Sequence, residues 1–323
     1  MRRRGFLVGI SCALLALRAW AQGKLWRIAY LSGASSEANR PWLQAFEQEL
    51  RALGYRPRQD LFLEIRYLAG RFEQAGKLAG ELAAGRPDLF MVYGADAAHA
   101  VRKVAGESPI VMANVLDPVA SGLVSSLARP GGNITGVADA HGASVTKRLE
   151  LIRELAPGAS RIGVLWRPGQ ASHPLQLKDL EAVAARLGLS VVALPVRSAT
   201  DIEEAFATLQ RERASAVLAL GDSLLTSHMS RIAALALAAK MISAYTIRPF
   251  AQAGGLLAYG TDFTEQFRRA AGYVDRILRG AKAADLPVVQ PEKFELVINL
   301  KTAKAIGVAV PRSVLLRADH VID

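Results

Sequence analysis

The chain has 323 residues, 51% of them hydrophobic and 21% charged, a balance that excludes a disordered or fibrous chain. That length predicts two α/β units, each burying a core of its own. The formal charge is +11, but residues 1–21 hold four arginines and no acids, so the remainder carries +7, scattered without the basic stripe that nucleic acid binding needs.

Arg2, Arg3 and Arg4 stand before an apolar run over residues 6–17, and Ala19-Trp20-Ala21 then supplies an A-x-A cleavage pattern. The pattern predicts export to the periplasm and a mature N-terminus at Gln22. An apolar run of about twelve residues, broken by Arg18, falls short of the roughly 20 needed to span a bilayer, so no membrane insertion is expected after cleavage. The segment RRRGFL fits a twin-arginine signal as well as a general secretory one, and both routes stay open. Cys12 is the only cysteine and precedes the cleavage site. The mature chain is therefore expected to have no disulfide, thiolate nucleophile, cysteine-bound metal or lipid anchor.

Beyond residue 24, short apolar runs alternate with helical patterns. A strand is expected over residues 27–32, then a helix over 41–53 with Trp42, Ala45, Phe46, Leu50 and Leu53 on one stripe, stopped by Gly54. Strands follow at 62–68, 89–93 and 109–113, separated by alanine-rich helices at 73–84 and 97–105. This βαβ series predicts a parallel sheet covered on both faces. Proline, glycine and asparagine concentrate over 128–136, read as the first crossing between two lobes. A second series then repeats the plan: helix 144–155, strand 161–166, helix 175–187, strand 190–196, helix 201–210 capped by Thr200, strand 216–220, helix 227–240 and strand 242–245. A strand at 256–259 precedes helix 263–278, after which the chain crosses again and ends with a strand at 294–297, a helix near 300–306 and an extended tail.

In open parallel sheets, ligands collect beyond the carboxyl ends of the strands. The loops to consider are therefore 32–36, 94–96, 114–118, 167–169, 221–223 and 245–246. Small residues at helix starts there expose backbone N–H groups to a carboxylate, which nominates Ser32, Ser35, Ser36, Gly94 and Ala95. Asp117 and Asp222 are placed to face an ammonium, with helix capping as the alternative role. Enzyme and cofactor signatures are missing. GGNITG follows no predicted strand and opens no helix, there is no GxxxxGK[ST] loop or GxSxG elbow, and His99, His141, His173, His228 and His320 show no metal-ligand spacing. Asn133-Ile134-Thr135 matches a glycosylation sequon and is read as a turn.

The segments VLDPVASGLVSSLARPGGNITGV, KRLELIRELAP, AGGLLAYG and RRAAGYVDRILRGAKAADLPVVQPEKFELVINLKTAKAIGVAVPRSVLLRADHVI resemble the ABC transporter substrate-binding family related to tryptophan and tyrosine import. The resemblance covers nearly all of the chain beyond the leader. It implies two doubly wound α/β lobes joined by a three-stranded hinge, the type I periplasmic-binding fold. The expected lobes are 24–138 plus 262–289 and 139–261 plus 290–323. It also implies a small-molecule ligand, an aromatic or other amino acid, held between the lobes and delivered to the permease and ATPase subunits of an importer, with no enzymatic activity and no cofactor. A sensing module that presents solute to a receptor would share these features, and an enzyme on a doubly wound fold is the remaining alternative.

Position by position, the resemblance places Asp117-Pro118-Val119, Gly94, the loop from Ser32 to Ser36, Asp222 and Tyr245 at the cleft. Three positions depart from the family pattern: Asp96 in a turn usually made of small residues, Arg167 where asparagine is common, and Thr246 where proline is frequent. An Asp96 carboxylate turned into the cleft would repel a ligand carboxylate unless Arg167, from the other lobe, neutralised it. The expected ligand is a small zwitterion or amide-bearing molecule.

Overall fold

A computed structural model of the protein describes residues 24–139, 142–291 and 293–323. The leader, with Cys12 and the cleavage pattern, and His141 lie outside the described residues.

The first sheet contains β1 (Trp26–Ser32), β2 (Leu61–Tyr67), β3 (Leu89–Tyr93), β4 (Ile110–Leu116) and β5 (Ile134–Asp139). Their order is β2-β1-β3-β4-β5, and every neighbouring pair is parallel. β3 and β4 are buried along their whole length, as continuous apolar runs predict for central strands packed on both faces. The covering helices include α1 (Ser36–Ala52), α2 (Ala75–Ala84) and α3 (Ala95–Val104).

The second sheet contains β6 (Arg161–Trp166), β7 (Ser190–Pro195), β8 (Ala216–Ala219), β9 (Ile242–Tyr245), β10 (Leu257–Thr261), β11 (Phe294–Asn299) and β12 (His320–Ile322). The order is β12-β11-β10-β9-β8-β6-β7, parallel except where β11 runs against β10. Six helices belong to this stretch: α4 (Gly142–Leu155), α5 (His173–Arg186), α6 (Ala199–Arg211), α7 (Ser223–Ser227), α8 (Met229–Ala238) and α9 (Arg248–Gln252). α10 (Phe263–Leu278) follows β10 and returns to the first sheet, where Phe263 and Phe267 pack on Trp42 of α1 with ring centroids 5.1 and 6.0 Å apart. The chain then runs back past β5, with Ala138 N–H donating to Val289 O and Val289 N–H to Gly136 O, before β11, α11 (Leu300–Ile306), α12 (Arg312–Leu315) and β12. Three passages therefore join the two sheets: after β5, between β10 and α10, and between the 3-10 turn at Ala283–Asp285 and β11.

Several elements differ from the sequence expectation for identifiable reasons. Helix α1 begins at Ser36, five residues ahead of Pro41, because Ser35 caps it by accepting Ala38 N–H at 3.3 Å; the buried face through Trp42, Phe46 and Leu50 carries the one hydrogen bond that the proline forfeits. The glycine-rich stretch is not the crossing. Its second half is β5, where Ile134, Thr135 and Val137 are buried beside β4, while Asn133 Nδ2 donates to Gly106 O and Ser108 O and ties down the strand's entry. The expected helix over 227–240 is two, α7 and α8, meeting at His228, because Asp222 starts the first of them four residues early. The extended tail forms α12 and an edge strand, β12, against β11.

Candidate ligand-binding cleft

The carboxyl ends of the two sheets face each other across a cleft whose free space is about 30 Å³. On the first wall, β3 ends at Tyr93, and Gly94 at φ 88° turns the chain into α3, so that Ala95 and Asp96 stand at the mouth of that helix. On the second wall, Asp222 caps α7 by accepting Leu224 N–H at 2.7 Å. Arg167, just past β6, joins the two walls. Its Nε donates to Asp222 Oδ2 at 2.7 Å and its Nη2 to Asp96 Oδ2 at 2.5 Å, while its guanidinium lies 4.2 Å from the ring centre of Phe72. The Arg167 backbone N–H donates to His173 Nδ1, which sets the His173 tautomer and turns its Nε2–H to Gly221 O.

The electrostatics follow from this sharing. Side-chain exposures are 7% for Arg167, 2% for Asp222 and 24% for Asp96, so the three charges sit largely out of water. Burial holds the Asp96 carboxyl above its ordinary value and nearby Asp222 adds to the rise, against the pull of Arg167. Burial works against the Arg167 charge, yet Asp222 and Asp96 together hold its guanidinium above the usual arginine value.

The walls also meet sterically. A Cβ at Gly33 would come within 2.6 Å of Ser223 Oγ and 2.9 Å of Ser223 Cβ, so a hydrogen at this position lets α7 come so close, while Gly70 faces only the end of the Leu224 side chain. Ser35 N–H donates to Ser227 Oγ at 2.9 Å across the same contact. At the base of the cleft, Asn114 Nδ2 donates to Gln266 Oε1 and to Asp139 Oδ2, Gln266 Nε2 donates to Thr261 Oγ1, and Thr261 Oγ1 donates to Asp139 Oδ1. This buried network ties together β4, β5, β10 and α10 where the chain passes between sheets.

Of the residues nominated from sequence, Gly94, Ala95, Asp96 and Asp222 line the cleft. Arg167 lies directly behind Asp96 and Asp222. Tyr245 is buried beneath the second wall, its hydroxyl 2.9 Å from Thr226 Oγ1 and donating to Asp222 O, so it supports the Asp222 turn from below. Ser32 is buried, with Oγ accepting Ala34 N–H; Ser35 caps α1; Ser36 is exposed on that helix. Asp117 takes a left-handed conformation at φ 42° and accepts Ala120 N–H at 3.0 Å, holding its own turn outside the cleft lining. Lining residues not nominated include Asn114, Asp139, Gln170, Thr226 and Phe263. Asn114 and Gln170 stood in or beside loops already singled out, and their amides were the available signal. Asp139 was hidden by the misplaced crossing. Phe263 read as one more apolar helix residue. Among the described residues, no group of three His, Cys, Asp or Glu side chains is placed to hold a metal, and no helix is long and apolar enough to cross a membrane.

Two α/β lobes facing each other across a polar cleft define the type I periplasmic-binding-protein fold, and solved solute-binding proteins share it. Residues 28–322 match the family described as ABC transporter substrate binding protein, and the chain belongs to that family. Its role is solute binding, as a component of an ABC transporter, and not enzymatic. Among relatives, a tyrosine-binding protein of Clostridioides difficile is 25% identical over 270 residues, spanning 84% of this chain and 76% of that protein. The structure of an ABC domain from Streptococcus pneumonia in complex with L-Trp superposes with a TM-score of 0.84 at 26% identity, over 92% of this chain and 99% of that one. A conserved domain protein from Vibrio cholerae superposes with a TM-score of 0.86 at 27% identity, over 92% of this chain and all of that one.

Proposed function

We propose that the protein is the exported, periplasmic solute-binding component of an ABC importer, which captures an amino acid between its lobes and hands it to the permease. The observation that carries this reading is that Asp96 from one lobe and Arg167 and Asp222 from the other meet at the cleft. A ligand touching both walls has greater affinity for the closed arrangement than for the open one and shifts the population toward it. Lobes of 24–138 plus 262–289 and 139–261 plus 290–323 fit the membership of the two sheets and the return of α10, with hinge positions near Val137-Ala138 and Tyr259-Gly260-Thr261. The ligand-contacting set comprises Gly94, Ala95, Asp96 and Asp222, supported by Arg167 and Tyr245. The relatives that bind tyrosine and L-Trp support an aromatic amino acid as the first ligand to try. A thermal-shift screen against amino acids and carboxylates tests the reading, because a ligand held only by the native state raises the melting temperature. Small-angle scattering with the hit is expected to show compaction; a hit that leaves the dimensions unchanged at saturation overturns capture between lobes.

A further inference from the structure

Three large apolar side chains line the cleft, Tyr93, Leu116 and Phe263. The free space of about 30 Å³ has room for roughly two or three waters at about 10–15 Å³ each. An apolar cavity that holds a single benzene ring measures about 150 Å³. The closed cleft is therefore far too small for an aromatic side chain. Which wall limits it follows from the packing. Tyr93 ends β3 and Leu116 ends β4, both buried central strands of the first sheet. Phe263 opens α10, whose first turn is fixed by Asp262 accepting Thr264 N–H at 2.8 Å. Its ring is held against Trp42 and Tyr93, with centroids 5.1 and 6.1 Å away, and both partners are buried, so it has no room to retreat toward them. Phe263 also borders a second space of about 260 Å³ where β10 passes into α10, lined by Pro41, Ile247, Pro249 and Thr261 among others.

We propose that Phe263 sets the size of the ligand: its ring fills the room that a ligand side chain would take, so the protein admits compact amino acids such as glycine, alanine and serine and excludes aromatic ones. The proposal rests on reading the cleft as the ligand site and narrows the amino acids it takes. A compact amino acid needs only a small parting of the walls, which two hinged lobes supply. An aromatic one needs the Phe263 ring displaced, and that displacement forfeits its contacts with both Trp42 and Tyr93. Without the ring, the cleft opens into the second space, and the joined cavity exceeds what an aromatic side chain requires. An aromatic amino acid is thus expected to fail on the wild type where a compact one binds.

Calorimetric titration of the whole mature protein with glycine, L-alanine, L-serine, L-tyrosine and L-tryptophan, paired with small-angle scattering, tests the idea. In the wild type, the best compact member is expected to bind at least about tenfold more tightly than either aromatic one. Phe263→Ala is expected to narrow that ratio at least about tenfold, or reverse it, by strengthening the aromatic ligands. Phe263→Leu keeps an apolar side chain on Trp42, serves as the second variant if alanine unfolds the lobe, and is expected to narrow the ratio severalfold. A merely structural role for the ring would weaken all five ligands alike and leave the ratio unmoved. The proposal is overturned if tyrosine or tryptophan binds the wild type as tightly as the compact members, if the ratio is unchanged in a folded Phe263 variant, or if none of the five binds. An aromatic amino acid that binds and compacts the wild type would overturn the size limit and leave capture between lobes standing. A compact one that keeps its preference but binds without compaction would do the reverse.

Discussion

Gly33 lies in the first lobe, and the space a side chain would need there is filled by the second. A Cβ built on its backbone would sit 2.6 Å from Ser223 Oγ, 2.9 Å from Ser223 Cβ and 3.2 Å from Tyr93 O. The Tyr93 contact is within the same lobe and yields with a shift of a few tenths of an ångström. The Ser223 contact involves a Cβ fixed to α7, so only a parting of the lobes relieves it. Gly33→Ala therefore acts on the closed arrangement and spares the lobe itself, where its backbone is not left-handed. Overpacking of this kind costs about 1–3 kcal/mol. Because about 1.4 kcal/mol is a factor of ten, the closed population falls roughly 5- to 150-fold, and the apparent affinity for any ligand that needs closure falls with it. The assay combines calorimetric titration with the screened ligand, small-angle scattering and a melt of the ligand-free protein. The expected result is weaker binding and less compaction at nearly unchanged melting temperature, with Ser223→Gly in the same chain restoring affinity. A Gly33→Ala protein that binds and compacts like the wild type would refute the reasoning, as would a melting temperature lowered by many degrees, which would place the damage inside the lobe.

Four further outcomes are expected. Mass spectrometry of a periplasmic extract should find a mature N-terminus at Gln22; a full-length product held in the inner membrane would contradict export with cleavage. Asp222→Ala removes the cap on Leu224 N–H and one of the two partners of Arg167, so it should lower stability by about 1–2 kcal/mol from the cap alone and weaken ligand binding at least about tenfold; unchanged affinity would reduce Asp222 to a helix cap. Trp42, 2% exposed among Tyr93, Phe263 and Phe267, leaves a large cavity when cut to alanine, and denaturant unfolding should register a loss of about 3–5 kcal/mol. The raised Asp96 carboxyl predicts a pH effect: its ionised form disfavours the ligand-free closed state, so that cost is absent below the ordinary carboxylate value and sets in as the pH rises through the elevated one. Burial lowers nearby His99, which keeps its imidazole uncharged toward neutral pH. Scattering across this range should show the ligand-free wild type opening with rising pH, and Asp96→Asn showing no such dependence.

Much of the fold was legible because it rests on periodicity. A short apolar run such as Leu89–Tyr93, bounded by Pro87-Asp88 and Gly94, reads as a central strand of a sheet covered on both faces, and the helical stripe from Phe263 to Leu278 kept its register to within a residue. Local chemistry failed where two signals conflicted. Pro41 looked like a helix start, although a capping serine six residues earlier outweighed it. Glycines at 131, 132 and 136 looked like a linker, although buried Ile134, Thr135 and Val137 made the stretch a strand. That error also hid Asp139, which reaches the cleft because β5 runs on to it.

The sequence by itself determined the two βα series and the loops that end on the cleft side, because hydrophobic spacing and helix caps act over a few residues. Only the tertiary structure decided which of those loop residues share a site. Ser32, Ser36 and Asp117 satisfy their own turns or face away, while Asp96, Arg167 and Asp222, up to 126 positions apart, meet on one guanidinium. That meeting depends on how two separately folded sheets are set against each other and on Gly33, which lets α7 approach, a long-range geometry with no local signature in the chain.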